Sequence, residues 1–216
     1  MSLQAQIAEY DKQKNASAPK EILELMASTT HELMEAGLAN DALQVGDYAP
    51  DFSLPNVHGE LVTLAEMLAH GPVVLNFYRG GWCPYCNYEL RAFEEVLERI
   101  EDLGSQLVAI SPETPDNSLT TKDKNELSYA VLSDVGNNVS NDYGLVYSLD
   151  ERLRPVYKNS GVDLPATNGD DTFNLPMPAT YVINQSGEIV YAFVSEDYTK
   201  RAEPSEVVKI LTTLDN

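Results

Sequence analysis

The stretch that most limits the fold begins at Val73–Tyr78 (VVLNFY), an apolar run of strand length. It leads through Arg79-Gly80-Gly81-Trp82 into Cys83-Pro84-Tyr85-Cys86. A mostly apolar run of this kind reads as a central strand buried on both faces. Beyond it, Leu90, Phe93, Leu97, Ile100 and Leu103 recur at three or four residues, predicting a helix from Cys86 to Leu103 that Gly104 stops. Strand, glycine loop and helix in that order put both sulfurs at a helix N-terminus. Unpaired N–H groups and the helix dipole favour thiolate there, lowering a cysteine pKa from about 8.5 towards roughly 3.5–7.5 in C-x-x-C sites. Two residues between the cysteines, wound into a first turn, bring the sulfurs within disulfide reach. Pro84 suits that turn because it has no N–H to leave unsatisfied.

The rest of the chain repeats the alternation. Phe52–Leu54 and Leu61–Leu64 flank the turn Asn56–Gly59 as a hairpin, and Leu107–Ile110, Tyr129–Leu132, Thr180–Ile183 and Ile189–Val194 read as further strands. Glu203–Leu214 closes the chain as an amphipathic helix. The pattern is α/β from Gly46 onward. Before it, Leu3, Ile7 and Tyr10, then Ile22, Leu25, Met26, Leu33, Met34 and Leu38, carry helical spacing, with Pro19 at the second helix's first turn and Gly37 at its end. Residues 1–43 are therefore expected to form a helical extension on a domain of residues 44–216, packing on that domain or on a second copy in a homodimer. Pro155–Pro176 is rich in Pro, Gly, Asn and Asp and reads as a long loop, of the kind that serves as a lid or mobile segment.

Composition narrows the function classes. With 14 Lys+Arg against 34 Asp+Glu, the formal charge is −20. That acid excess argues against nucleic acid or an anionic membrane surface as partner. The polar start of the chain has no apolar leader, and no run approaches the ~20 apolar residues of a membrane span. A cytoplasmic protein is expected, where a close cysteine pair is redox-active or metal-binding more often than structural. Zinc wants four ligands, and His31, His58 and His70 have no metal spacing around the pair. No metal or other cofactor is expected. A helix start after a Gly-Gly loop is also a poor place to hide sulfur, so accessible thiols are expected.

Several motifs in order, GDYAPDFSLPNVHGELVTL, VVLNFYRGGWCPYC, LVAISPE and PATYVINQSGEIV, resemble the alkyl hydroperoxide reductase/thiol-specific antioxidant family, the peroxiredoxin branch of the thioredoxin superfamily. FYRGGWCPYC and DYTKRAEP are similar to its subgroup with a thioredoxin-type C-x-x-C. The resemblance implies a thioredoxin-like fold, a central mixed β-sheet flanked by helices. It also implies hydroperoxide reduction through a Cys83/Cys86 dithiol–disulfide cycle, with thioredoxin or glutathione as reductant. In the family frame Cys86 falls on the peroxide-attacking position, Cys83 replaces a threonine, Arg79 a proline, and Pro178 the activating arginine. Met177-Pro178 would instead fit the place of the thioredoxin cis-proline.

Arg79, by default a solvated loop residue, and Arg201 are the candidates to replace the missing charge. Trp82 is expected to pack against the turn. Tyr85 is expected to stand exposed between the cysteines, where it meets a partner protein or glutathione. Two alternatives remain open: a thioredoxin-like disulfide oxidoreductase with Cys83 as nucleophile, and a non-enzymatic redox sensor.

Overall fold

The computed structural model describes residues 1–214. Two N-terminal helices, α1 (Leu3–Ser17) and α2 (Lys20–Ala36), come first. Ser2 caps α1, its Oγ accepting from the Ala5 N–H at 3.3 Å. Gly37 ends α2 in the left-handed region at φ 67°, where glycine carries no side-chain penalty. A hairpin, β1 (Ser53–Pro55) and β2 (Leu61–Thr63), leads into α3 (Leu64–Leu68). The sheet elements follow as β3 (Val73–Phe77), β4 (Gln106–Ser111) and β5 (Ala130–Ser133). Helices α4 (Pro84–Glu94) and α5 (Leu97–Asp102) connect β3 to β4, and α6 (Pro115–Lys124) connects β4 to β5. Then come α7 (Asn138–Asp142), β6 (Val146–Ser148), α8 (Arg154–Asn159), α9 (Leu164–Asn168) and β7 (Asn174–Pro176). The chain closes with β8 (Ala179–Ile183), β9 (Ile189–Val194) and α10 (Pro204–Leu211).

The central sheet is mixed, in the order β5-β4-β3-β8-β9. Strand β3 runs parallel to β4, as β4 does to β5, and antiparallel to β8, with Phe77 opposite Ile110 on one side and Ala179 on the other. Successive side chains of β3 enter opposite faces. Val74 packs with Leu90, Phe93, Ile100 and Val207 under α4, α5 and α10. Val73, Leu75 and Phe77 pack with Leu64, Ile110 and Tyr181 on the other face. A third cluster of Tyr147, Leu149, Leu153, Tyr157, Leu164, Leu175 and Met177 lies beneath α2, which lays Leu25, Met26 and Leu33 on it.

Two expectations of local structure are corrected. The helix expected at Cys86–Leu103 begins at Pro84 and is interrupted at Val96, whose φ −114° and ψ 3° leave the helical region. The segment expected as a loop at Pro155–Pro176 contains α8, α9 and β7. Pro155 and Pro165 are helix starters in it, placed in the first turns where a missing N–H costs nothing.

Candidate active site

Cys83 is the N-cap of α4 and Pro84 opens its first turn. The turn closes as the Asn87 N–H donates to the Cys83 carbonyl at 3.1 Å. The two glycines before it are required by close packing. A Cβ on Gly81 would lie 2.0 Å from Thr121 Oγ1, and one on Gly80 would lie 2.2 Å from the Trp82 indole nitrogen. Beneath the loop, the buried Glu113 carboxylate accepts from the Gly81 N–H at 3.0 Å, Thr121 Oγ1 at 3.0 Å and Tyr78 Oη at 3.2 Å. Burial raises its pKa, and these three donors work against the rise.

Each sulfur faces a buried guanidinium. Arg79 Nη1 lies 3.8 Å from Cys83 Sγ, and Arg201 Nη2 lies 3.2 Å from Cys86 Sγ. The two arginines are held differently. Arg201 Nε sits 2.7 Å from the fully buried carboxylate of Glu89, one helical turn beyond Cys86. The two form a fully buried ion pair. Arg79 has no carboxylate partner among the described residues. Its Nε donates to Tyr147 Oη at 3.1 Å and its Nη2 to Tyr157 Oη at 2.8 Å. The rings of Tyr198 and Trp82 flank its guanidinium carbon at 4.6 and 5.0 Å.

The sulfurs are thereby made unequal. Burial alone would raise the Cys83 thiol, but the Cys86 thiol hydrogen-bonds to it and Arg79 and Arg201 face it, so its pKa falls well below the ordinary thiol value. Burial and the neighbouring Cys83 push the Cys86 thiol up. A cavity of about 240 Å³ opens on Cys83, with Arg79, Trp82, Tyr85 and Tyr198 in its wall and no edge from Cys86. Its far walls come from α1 and α2 (Tyr10, Lys14, Met26) and from the α8 segment (Val156, Tyr157, Ser160, Val162).

Four expectations about site residues are corrected here. Both cysteines are free and buried rather than accessible, because α1 and the α8 segment cover the head of α4. Arg79 is 2% exposed rather than solvated, taken inward by its tyrosine partners. Tyr85 is also 2% exposed. Its hydroxyl donates to Asp11 of α1 and accepts from Lys14 Nζ at 2.5 Å, while Tyr10 packs edge-on against its ring at 5.2 Å. None of the described peptide bonds is cis, so Met177-Pro178 does not take the cis-proline form. Both residues are buried, and neither lines the cavity. Trp82, half-buried, packs edge-on against Tyr157 at 5.4 Å, and Pro84 is exposed.

Sequence reasoning missed Glu89, Glu113, Tyr147, Tyr157 and Tyr198. Glu89 stands three residues after Cys86 on the same helix face, and Glu113 and Tyr198 stand in the motifs LVAISPE and DYTKRAEP, while Tyr147 and Tyr157 carried no signal. The Tyr85 latch gives a test. Tyr85→Phe removes the hydroxyl shared by Asp11 and Lys14 and costs about 1–3 kcal/mol of the contact that holds α1. Hydrogen exchange should accelerate in α1 while β3 and the core of α4 stay protected. Unchanged α1 protection would show that the latch does not hold the helix.

Fold and site together define a thioredoxin-like protein built round a thiol pair charged by buried arginines. The chain belongs to the AhpC/TSA family, whose sequence profile matches residues 45–192, and is a thiol-dependent peroxidase. It is 27% identical over 169 residues to peroxiredoxin Q, chloroplastic, of Oryza sativa subsp. japonica, covering 78% of this chain and 67% of that one. It is 24% identical over 197 residues to the wheat (Triticum aestivum) protein of the same name, covering 91% of this chain and 80% of that one. Among solved structures, peroxidoxin BcpB from Mycobacterium tuberculosis superposes with a TM-score of 0.63 at 21% identity, covering 81% of this chain and 99% of that one. Peroxiredoxin Q of Xanthomonas campestris does so with a TM-score of 0.59 at 16% identity, covering 80% and 97%. These superpositions speak to the fold. No helix among the described residues is long and apolar enough to cross a membrane.

Proposed function

We propose that Cys83 is the sulfur that attacks a hydroperoxide and that Cys86 resolves the product. The observation that carries this reading is the placement of the Cys83 sulfur, at the cavity wall with the Arg79 guanidinium 3.8 Å away, while Cys86 has no edge on that cavity. The Cys83 thiolate attacks one peroxide oxygen, the O–O bond breaks, and the leaving alkoxide takes a proton to become the alcohol. Cys83 is left as sulfenic acid. The Cys86 thiol then attacks that sulfur, water leaves, and a Cys83–Cys86 disulfide remains. A thiol reductant, thioredoxin or glutathione, returns the pair to the dithiol. In this reading residues 1–43 form a cover for the site and residues 44–216 the catalytic domain. Turnover needs a compartment that supplies thiol reductant; the cytoplasm meets that need, as does the plastid in which the rice and wheat relatives are named.

A second reading makes Cys86 the attacking sulfur, and the Arg201 guanidinium 3.2 Å from it favours that assignment. Mass spectrometry after one equivalent of hydroperoxide separates the two. Cys86→Ser should accumulate sulfenic acid on Cys83, and Cys83→Ser should stay reduced over the same time. Sulfenic acid on Cys86 in the Cys83→Ser protein, formed at the wild-type rate, would transfer the role to Cys86.

A further inference from the structure

A buried cation with no anionic partner is expensive, because its lost hydration is repaid only by a nearby negative charge and by hydrogen bonds. Arg79 is buried, and the groups that bond to or flank its guanidinium are neutral apart from the sulfur. Tyr147 from β6 and Tyr157 from α8 accept its N–H bonds, while Trp82 and Tyr198 offer ring faces. Tyr147 is itself pushed up to about 12 by burial, so it remains a neutral phenol. The Cys83 thiolate is the charge that balances Arg79. Arg201 differs, because the Glu89 carboxylate stands beside it as a partner other than the sulfurs.

Disulfide formation removes the thiolate and strands the Arg79 charge among aromatic rings. The reduced pair is stabilised relative to the disulfide, which raises the reduction potential of the couple. We propose that the Cys83–Cys86 couple is strongly oxidising, and that its disulfide form, charged by hydroperoxide, donates a disulfide to dithiol partners through Cys83. This rests on the assignment of Cys83 as the resting thiolate. A partner thiolate attacks the Cys83 sulfur at the cavity, the Cys83–Cys86 bond breaks, and Cys86 leaves and takes a proton. The partner's second thiol then attacks its own sulfur in the mixed disulfide. Cys83 is expelled as a thiolate beside Arg79, where a stabilised anion is a good leaving group. The partner loses two electrons and gains a disulfide, and the cysteine pair takes up both electrons.

The test is an exchange equilibrium between the oxidised full-length chain and reduced thioredoxin, read by acid quench and thiol alkylation. The constant should favour oxidised thioredoxin at least a hundredfold, about 60 mV at 29.6 mV per tenfold. Arg79→Met should lower that constant at least tenfold, and Arg79→Lys, which keeps the charge, should hold it within a few fold of the wild type. A wild-type constant at or below one overturns the proposal however fast the protein reduces peroxide, as does an Arg79→Met constant equal to the wild type's. If Arg79→Met does not fold, the wild-type and Arg79→Lys constants still decide. A large wild-type constant in a protein that turns over no hydroperoxide would instead sink the peroxidase reading and the charging by hydroperoxide with it, while the high potential of the couple would stand.

Discussion

Arg201→Met should cost the native state about 3–5 kcal/mol near pH 8, because the Glu89 carboxylate is left buried without its cation. Near pH 5 the cost should be much smaller. Glu89 is fully buried, and burial lifts its carboxyl to about 7, with Arg201 opposing the rise. The folded chain therefore holds this proton more tightly than the unfolded chain, whose carboxyl titrates near the ordinary value of about 4.3. That contribution is full below the unfolded value and is lost as pH rises through about 7. Removing Arg201 takes away the opposing charge and moves the folded value higher still. The variant must then go on losing stability above the pH at which the wild type has levelled off, and the gap between their urea midpoints should widen from pH 5 to pH 8. A gap that stays constant with pH would show that Arg201 acts by packing alone. Arg201 also donates from Nη1 to the carbonyls of Tyr198 and Lys200, so part of the loss should persist at low pH.

The sheet was legible where the chain is most apolar. Val73–Phe77, Leu107–Ile110 and Ala179–Ile183 are buried throughout and have no competing pattern, so their runs name the strands directly. The short elements were hidden by the same logic. Helices α8 and α9 span 6 and 5 residues, too few for a 3.6-residue period to show, and each carries at its second position a proline that reads as a breaker. At the site, the strand-loop-helix order placed the sulfurs, and both arginines stood in motifs that marked them as charge donors. What could not be read was the burial of Arg79 and Tyr85. The groups that take them inward lie 68 and 78 residues away for Arg79, and 74 for Tyr85. Nothing local to Arg79-Gly80-Gly81 distinguishes a solvated loop arginine from one enclosed by Tyr147, Tyr157 and Tyr198. The enclosure is a property of the assembled fold, produced when α8 and the turn after β9 close over the head of α4.

That enclosure predicts the largest kinetic effect in the molecule. Arg79→Met should lower kcat/KM for a hydroperoxide by about 10²–10³, the loss seen when one donor to a developing oxyanion is removed. Two causes combine in it. The cation that favours the Cys83 thiolate disappears, and, with Cys83 as the proposed attacking sulfur, so does the charge nearest the alkoxide that leaves as the O–O bond breaks. The pH profile separates these from simple damage. In the wild type, Cys83 is held well below the ordinary thiol range, so the rate should be level through neutral pH. In the variant it should climb as pH approaches the free-thiol value of about 8.5. Arg79→Lys should recover the thiolate and the level profile but not the full rate, since an ammonium cannot reproduce the planar fork held by Tyr147 and Tyr157. The fold itself should survive Arg79→Met, because an apolar side chain enters a cage of aromatic rings and no carboxylate is orphaned. A variant that folds, keeps the level profile and reacts at the wild-type rate would leave the Cys83 thiolate without a cause in Arg79.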